Sequence, residues 1–308
     1  MPILRSAFIA LSRNQPLRHF SERSALGRRL SSRFVAGMEI DDALRAAQAL
    51  HDQGIASTLD SLGENVTTPE QARRSADIYH RLLDAIAARK LNANVSLKLT
   101  QMGMDLDPAL ASEIVSGLVD HAVAANNFIR IDMEGTDYTQ ATLDLTQSLH
   151  AQPANRGHVG VVIQAYLYRS AQDIADLTAS GIRIRLCKGA YKEPPSLAFP
   201  QKSEVDANYI RLTQTLLASG IYHGIATHDP AMIDAAKHFA HESSIPKTSF
   251  EFQMLYGIRR DLQRALVAEG YNLRVYTPFG SEWYPYFMRR LAERPANVLF
   301  LAKSLLKS

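Results

Sequence analysis

Apolar and polar positions alternate along the chain with two different periods. Eight short runs rich in apolar and β-branched residues predict β-strands. They cover residues 55–60, 93–99, 128–133, 159–166, 182–187, 222–227, 249–253 and 273–277. Between them, apolar residues recur with the helical period, which predicts amphipathic helices such as those over residues 69–90, 108–126 and 206–220. The chain is therefore predicted to alternate between strands and helices.

Strands that alternate with helices are parallel and joined by crossovers, and eight such units close into a (βα)₈ barrel. No GxGxxG motif follows the first strand, so an open dinucleotide-binding sheet is less favoured. Residues 3–33 and 40–54 predict further helices before the first strand. The predicted fold is α/β, with an N-terminal helical segment at residues 1–50 packed on a (βα)₈ barrel at residues 51–308.

Composition narrows the class of protein. The chain has 308 residues, of which 46% are hydrophobic and 21% are charged, as is typical of globular proteins. Cys187 is the only cysteine, which excludes an intrachain disulfide and favours a reducing compartment. No run of about 18 apolar residues occurs, which argues against a membrane-spanning helix.

Positive charge is concentrated near the N-terminus, although the net charge of the whole chain is only +3. Residues 1–33 hold seven arginines and one acid, Glu22. This composition is typical of a mitochondrial transit peptide, but also of a basic amphipathic helix docked on the protein body or on an anionic membrane. We expect a retained helix. Nucleic-acid binding is not indicated, because the charge lies in one short segment.

Polar residues stand at the ends of the predicted strands. In a (βα)₈ barrel, the carboxyl ends of the strands and the loops that follow them build the functional site. A charged group there needs a partner or a ligand, since burying it unpaired costs several kcal/mol. The residues are Asp60, Lys98, Asp132, Glu134, Gln164, Arg185, Lys188, Thr227, His228, Asp229, Gln253 and Tyr276. They predict a single polar site.

The cations of this set allow several interpretations. Lys98 could pair with Asp132, act as a Schiff-base amine or hold an anionic substrate. Arg185 and Lys188, which two small residues follow, suit a phosphate or another electron-rich cofactor, or else form a charged loop. Spacing alone leaves these alternatives open.

Three other features bear on the chemistry. His228 is expected to form hydrogen bonds rather than to bind a metal, because no second ligand stands at a suitable spacing, and no metal site is predicted. Cys187 has no adjacent base and is not expected to be a nucleophile. Arg289 and Arg290 either pair with Glu293 on a helix surface or converge on one anion.

Seven motifs carry a resemblance to a known family. They are SLKLTQMGMDLD, RIDMEGT, VVIQAYLYRS, RIRLCKGAYKEP, ATHDP, FEFQMLYGIR and SEWYPYFMRRLAERPAN. In this order they resemble the proline dehydrogenases, most closely the monofunctional bacterial type. Similar motifs mark the matching domain of the bifunctional proline utilization A flavoproteins. The resemblance extends from about residue 35 to the C-terminus.

The resemblance implies a distorted (βα)₈ barrel that binds FAD noncovalently and oxidises L-proline to Δ1-pyrroline-5-carboxylate. Hydride would pass from C5 of proline to flavin N5, and the electrons to a membrane quinone, in the first step of proline catabolism to glutamate. A separate pyrroline-5-carboxylate (glutamate semialdehyde) dehydrogenase would take the product. We then expect a cytoplasmic protein with peripheral contact to the inner membrane, or a protein of the mitochondrial matrix if residues 1–33 are a transit peptide.

The resemblance also implies roles for particular residues. The catalytic set is Lys98, Asp132, Arg185, Tyr276, Arg289 and Arg290. The substrate-binding set is Lys98, Leu186, Tyr191, Leu255, Tyr276, Tyr286, Arg289 and Arg290. The cofactor-binding set is Asp132, Gln164, Arg185, Lys188, Gly189, Ala190, Thr227, His228, Gln253, Arg290 and Glu293.

Two other functions fit the same residues. Lysines at strand ends also suit a Schiff-base lyase or aldolase on the same fold, with Lys98 or Lys188 as the amine. A non-catalytic barrel that acts as a binding or scaffold protein is a third interpretation. Bound flavin that proline reduces would distinguish the first function from the other two.

Overall fold

Eight parallel strands form a closed barrel in the order of the chain, and β1 pairs with β8 to close it. The computed structural model describes residue 24, residues 31–63 and residues 66–293, with the backbone alone for 289–293. The strands are β1 (Ala56–Ser61), β2 (Ala93–Leu97), β3 (Ile129–Ile131), β4 (Val159–Gln164), β5 (Arg183–Cys187), β6 (Gly224–Ala226), β7 (Glu251–Leu255) and β8 (Asn272–Phe279). The predicted α/β barrel of eight strands is confirmed.

A helix precedes β1 and others connect or follow the strands. In the described part of the chain they are α1 (Ile40–His51), α2 (Pro69–Arg89), α3 (Pro108–Ala124), α4 (Thr136–Ala151), α5 (Ser170–Ala179), α6 (Lys202–Ala218), α7 (Pro230–Glu242), α8 (Arg260–Ala268) and α9 (Trp283–Glu293). Short 3₁₀ helices lie at Thr100–Met102 and Pro153–Asn155. The helix predicted before residue 33 lies almost wholly outside the described residues.

Local sequence explains where several helices begin. The residues Thr68, Asp107 and Asp229 cap α2, α3 and α7, and each side chain accepts a hydrogen bond from a backbone N–H of the first turn. A proline occupies the next position in each case, where its missing N–H costs nothing and its fixed φ suits a helix. These starts place the three helices directly after the loops that rim the barrel.

The bounds of every strand differ from the prediction by one or more residues, and the shift of β7 moves a candidate site residue. The run over residues 249–253 was predicted as a strand, but β7 covers Glu251–Leu255. Ser249 belongs to a turn instead, because its backbone N–H and its hydroxyl both donate to the carbonyl of Pro246. Gln253 therefore lies in the middle of β7 and not at its end.

The strands carry apolar residues on their outer face and polar residues on their inner face. Val95, Leu97 and Phe252 belong to the two large hydrophobic clusters in which strand and helix side chains pack together. Ser96 and Gln253, which alternate with them, hydrogen-bond inside the barrel to the side chains of Asp132, which follows β3, and of Arg185 in β5. Successive side chains of a strand point to opposite faces. The main core thus lies between barrel and helices, and the barrel interior is polar.

Helix α1 covers the side of the barrel where it closes. Its residues Leu44 and Ala47 are buried in the same cluster as Leu59 of β1 and Phe279 of β8. An N-terminal boundary at residue 50 stays a prediction. Among the described residues, no helix is both long and apolar enough to cross a membrane.

Candidate active site

A cluster of charged side chains lies at the carboxyl ends of β1, β2, β3 and β8. Lys98 Nζ lies 3.3 Å from Asp60 Oδ2 and 3.8 Å from Asp132 Oδ2. The Tyr276 hydroxyl lies 2.6 Å from Asp60 Oδ2 and 2.8 Å from Asp132 Oδ2. Four residues from four strands or strand ends thus meet, which agrees with the prediction of a single polar site.

Arg185 joins this cluster from β5. Its Nη1 donates to Asp132 Oδ1 at 2.8 Å and to the Ser96 hydroxyl at 3.3 Å, and its guanidinium lies 5.2 Å from the centre of the Tyr276 ring. Its Nε donates to Gln253 Oε1 at 2.5 Å. Charge-assisted hydrogen bonds of this kind are among the stronger ones in proteins. The guanidinium is therefore fixed on two edges.

Asp60 lies at the centre of this charged cluster, although the sequence identified it only as a polar residue at the end of a strand. It is 1% exposed and also accepts a hydrogen bond from the Tyr79 hydroxyl. Burial raises the pKa of Asp60, an effect that the nearby Lys98 ammonium opposes without cancelling it. Asp60 points into the barrel because successive side chains of β1 point to opposite faces. This alternation is the sequence signal that could have identified Asp60 as a site residue.

Gln164 and the turn after β5 form one edge of the mouth. Gln164 Nε2 donates to the Glu134 carbonyl at 2.9 Å, and its Oε1 lies 3.4 Å from the Ala190 N–H. Gly189 has φ +121°, and a Cβ there would fall 2.3 Å from the Tyr166 ring. Only glycine fits this close approach at that backbone conformation.

Lys188 is paired with acids. Its Nζ lies 2.5 Å from Asp206 Oδ1 and 2.9 Å from Asp229 Oδ2. Lys98 is likewise paired with two acids, so these contacts do not decide which lysine could act as a Schiff-base amine.

The residues around the end of β6 have structural partners. His228 Nε2 accepts the backbone N–H of Leu255 at 2.8 Å, so the expected hydrogen-bonding role is confirmed. Thr227 Oγ1 accepts the N–H of Asp229 at 3.1 Å.

Burial raises the pKa of the Cys187 thiol to about 12, which keeps it protonated and agrees with its expected lack of nucleophilic activity.

Four apolar or aromatic members of the predicted substrate-binding set lie in different places. Leu255 and Tyr286 share a cluster with Phe34 and Trp283 next to the carboxyl end of β7. Leu186 is buried in the core between barrel and helices and is not brought to the polar cluster. Tyr191 lies on the loop after β5 and is 40% exposed.

The two arginines and the glutamate near the C-terminus lie on a defined element. Helix α9 contains Arg289, Arg290 and Glu293 and follows the last barrel strand. Their side chains lie outside the described residues, so their contacts stay predictions, as do the functional roles of the other members of the three predicted sets.

A closed (βα)₈ barrel with a buried polar cluster at the carboxyl ends of its strands is the arrangement typical of barrel enzymes. The family model for proline dehydrogenase matches residues 43–303 of the chain. The chain belongs to the proline dehydrogenase family.

Individual relatives support this assignment. Proline dehydrogenase 2 of Bacillus subtilis (strain 168) is 41% identical over 309 residues, which cover 99% of each chain. The proline dehydrogenase of Deinococcus radiodurans is 43% identical over 281 residues, which cover 90% of each chain. The expectation that the chain is an enzyme of this type is confirmed.

A solved structure gives the same fold. The crystal structure of proline utilization A from Bdellovibrio bacteriovorus, inactivated by N-propargylglycine, matches with a TM-score of 0.83 and 26% identity. The match covers 94% of this chain and 36% of that longer chain.

Proposed function

We propose that the protein uses noncovalently bound FAD to oxidise L-proline to Δ1-pyrroline-5-carboxylate, the first step in the conversion of proline to glutamate. The observation that carries the proposal is the fixed Arg185 guanidinium beside Asp132 and Tyr276 at the carboxyl ends of the strands. Such an arrangement suits an electron-rich ring next to a small zwitterionic substrate.

The residues at the mouth fit the chemistry of FAD. A flavin and its pyrophosphate need cations and hydrogen-bond donors, and Arg185 and Lys188 supply cations at the end of β5. Gly189 and Ala190 carry no bulky side chains of their own in the turn that follows β5. We therefore assign the holding of FAD to Arg185, Lys188, Gly189 and Ala190, together with Gln164, Thr227 and His228 from neighbouring strands. When bound, FAD supplies the redox chemistry by accepting a hydride from C5 of proline.

The protein's own residues would orient proline and control its charge. Lys98, Arg289 and Arg290 would hold the carboxylate through charge-assisted hydrogen bonds. Tyr276, Leu255 and Tyr286 would enclose the apolar ring. The cations also favour loss of a proton from the proline amine, which must be neutral for its C5 hydride to leave.

The electrons would pass to a membrane quinone, which implies peripheral contact of the protein with the inner membrane from the cytoplasmic side. Residues 1–33 carry the positive charge that suits such contact. The product would pass to a separate pyrroline-5-carboxylate dehydrogenase. These proposals rest on the family and on the charge of the N-terminal segment.

An anaerobic absorbance spectrum before and after L-proline tests the proposal. We expect a bound yellow chromophore that bleaches with L-proline and does not bleach with L-alanine, which has the same carboxylate and amine without the ring. A colourless protein that takes up no FAD on reconstitution would refute it. Covalent trapping of a carbonyl substrate by borohydride would instead support the Schiff-base lyase, with Lys98 or Lys188 as the amine.

A further inference from the structure

A line of buried polar side chains crosses the barrel interior from Arg185. Gln253 Oε1 accepts from Arg185 Nε at 2.5 Å, and Gln253 Nε2 donates to Glu251 Oε1 at 2.5 Å. Arg274 Nε donates to the same Glu251 oxygen at 2.8 Å. Glu251 begins β7, so it lies deeper in the barrel than Gln253. The line thus connects the guanidinium at the mouth to an ion pair inside the barrel.

A glycine makes the contact between Arg185 and Gln253 possible. Strand β6 lies between β5 and β7, and its residue Gly224 is in register with Arg185 on one side and Glu251 on the other. A Cβ at Gly224 would fall 2.3 Å from Gln253 Nε2. Because β6 contributes no side chain at this level, side chains from β5 and β7 meet directly across it.

The two partners of Gln253 determine how its amide is turned. A guanidinium only donates hydrogen bonds and a carboxylate only accepts them. The amide oxygen must therefore face Arg185 and the amide nitrogen must face Glu251, because the opposite orientation would place donor against donor and acceptor against acceptor. By accepting from the amide nitrogen, Glu251 consequently keeps the amide oxygen of Gln253 turned toward Arg185 as an acceptor.

Glu251 keeps its negative charge although it is only 3% exposed. Burial alone would raise the pKa of Glu251, but the charge and hydrogen bond of Arg274, with the hydrogen bond from Gln253, outweigh burial and lower it. Arg274 is itself held, since its Nη1 donates to the Ser57 carbonyl at 2.8 Å. The anion that orients Gln253 is therefore permanent near neutral pH.

We infer that Glu251, acting through Gln253, is a positioning residue that fixes Arg185 at the mouth of the barrel. The Nε edge of Arg185 is tied to this line while its Nη1 bonds to Asp132. Neither Glu251 nor Arg274 belongs to the predicted catalytic or binding sets. The inference rests on the proposed function, in which Arg185 lies beside the flavin and stabilises the charge that the flavin gains.

The reduction potential of the bound flavin tests the inference in the FAD-loaded, full-length protein. In Glu251→Gln, Arg185 is held less firmly and should stabilise reduced flavin less. We expect reduction to become about tenfold less favourable, which for two electrons is about 30 mV toward negative potential. Arg185→Lys should shift the potential in the same direction. The double variant should shift it no further, because both changes act through one side chain.

A matched control separates positioning from general destabilisation. Tyr222→Phe removes the hydrogen bond of 3.2 Å to the other oxygen of the same carboxylate, Glu251 Oε2. It should leave the flavin potential unchanged even if the melting temperature falls. Should Glu251→Gln fail to fold, Gln253→Met breaks the same link while the Glu251 and Arg274 ion pair remains, and it should shift the potential similarly.

Two results would overturn this inference and leave the proposed function intact. One is a flavin reduction potential that is the same in the wild type, Glu251→Gln and Gln253→Met. The other is a double variant in which the shifts of Glu251→Gln and Arg185→Lys add. A wild type that takes up no flavin would overturn the proposed function, and this inference with it.

Discussion

The hydroxyl of Tyr276 implies that an extra proton is shared within the site. It lies within hydrogen-bonding distance of oxygens on both Asp60 and Asp132, yet it has a single proton to donate. Burial and the two carboxylates raise the pKa of Tyr276 well above its usual value, so the phenol retains that proton. Burial raises the pKa of Asp60, which favours its protonated form as the second donor. We therefore expect Asp60 to donate to Tyr276, and Tyr276 to donate to Asp132.

The stability of Asp60→Asn should reveal this proton. Because the folded-state pKa of Asp60 is raised, the folded protein retains a proton that the unfolded chain releases as pH rises above its ordinary value of 3.8. The wild type should lose stability relative to Asp60→Asn over that window, by at most about 1.4 kcal/mol per pH unit. Urea unfolding at a series of pH values measures the difference. A wild type that gains stability relative to Asp60→Asn as pH rises would instead show that folding lowers the pKa of Asp60.

The adjacent arginines of α9 make a second prediction at this scale. Arg289→Met and Arg290→Met should each raise KM for proline sharply with flavin retained, since each removes a charge-assisted bond worth about 1.5 to 3 kcal/mol. Arg264→Met, on the exposed face of α8, is the control and should leave KM unchanged. Steady-state kinetics with a soluble quinone measures all three. An unchanged KM in either α9 variant would refute that arginine's assigned role.

At the scale of elements, the loop between β5 and α6 is anchored to the helix that follows β3. Glu193 of this loop accepts from the backbone N–H of Thr136 at 3.0 Å and from its hydroxyl at 2.6 Å. Thr136 begins α4, so the carboxylate lies at a helix N-terminus, where negative charge is stabilised. The loop also carries Gly189, Ala190 and Tyr191, three residues of the predicted sets. The contact of Glu193 therefore restrains the conformation of this loop by anchoring it to the start of α4.

Loss of this contact should loosen the loop without unfolding the barrel. In Glu193→Ala, we expect faster amide hydrogen exchange over residues 189–199 and in the first turn of α4, with the strands unchanged. A cap of this kind is worth about 0.5 to 2 kcal/mol, so exchange should accelerate about two- to thirtyfold. Lys192→Ala, an exposed neighbour in the same loop, is the control. Equal exchange in the two variants would mean that the contact does not hold the loop.

At the scale of the whole molecule, the sequence predicted the barrel well because its periodicities are local. Runs such as RIRLC and SFEFQ alternate between apolar residues for the outer core and polar residues for the interior. Apart from the candidate pair of Lys98 with Asp132, the pairings inside the barrel could not be predicted in this way. Asp60 meets Lys98 across 38 positions, and Arg185 meets Gln253 across 68. Such partners are set by closure and register, and no local pattern encodes them.

The polar interior has consequences for the stability of the whole fold. Burial, with the charges of Arg185 and Arg183 nearby, lowers the pKa of Arg130 well below its usual value. His223 lies in the same positive surroundings. Its Nδ1 accepts the backbone N–H of Ile184 at 3.0 Å, and its Nε2 lies 3.0 Å from the Ser219 hydroxyl. A protonated imidazole would turn a second donor toward Ile184, so the folded protein requires neutral His223.

The fold should therefore lose stability as pH falls from near neutral. Burial, with the charges of Arg130 and Arg183, lowers the pKa of His223 to about 3, whereas the ordinary value is 6.5. Between these values the unfolded chain binds a proton that the folded protein does not. The contribution to stability is complete above about pH 6.5 and is lost below it, by at most about 1.4 kcal/mol per pH unit.

His223→Gln should flatten this dependence, because glutamine can accept from Ile184 and donate to Ser219 but does not titrate. We expect the free energy of unfolding of this variant to change less than that of the wild type between pH 6.5 and pH 4, measured by urea unfolding with flavin bound. His238→Gln, an exposed histidine of α7, is the control and should keep the wild-type slope. If the slope of His223→Gln equals that of the wild type, titratable groups other than His223 account for the acid sensitivity. A flatter slope confined to His223→Gln would show that a buried neutral histidine, fixed by the positive barrel interior, couples the global stability of the fold to pH.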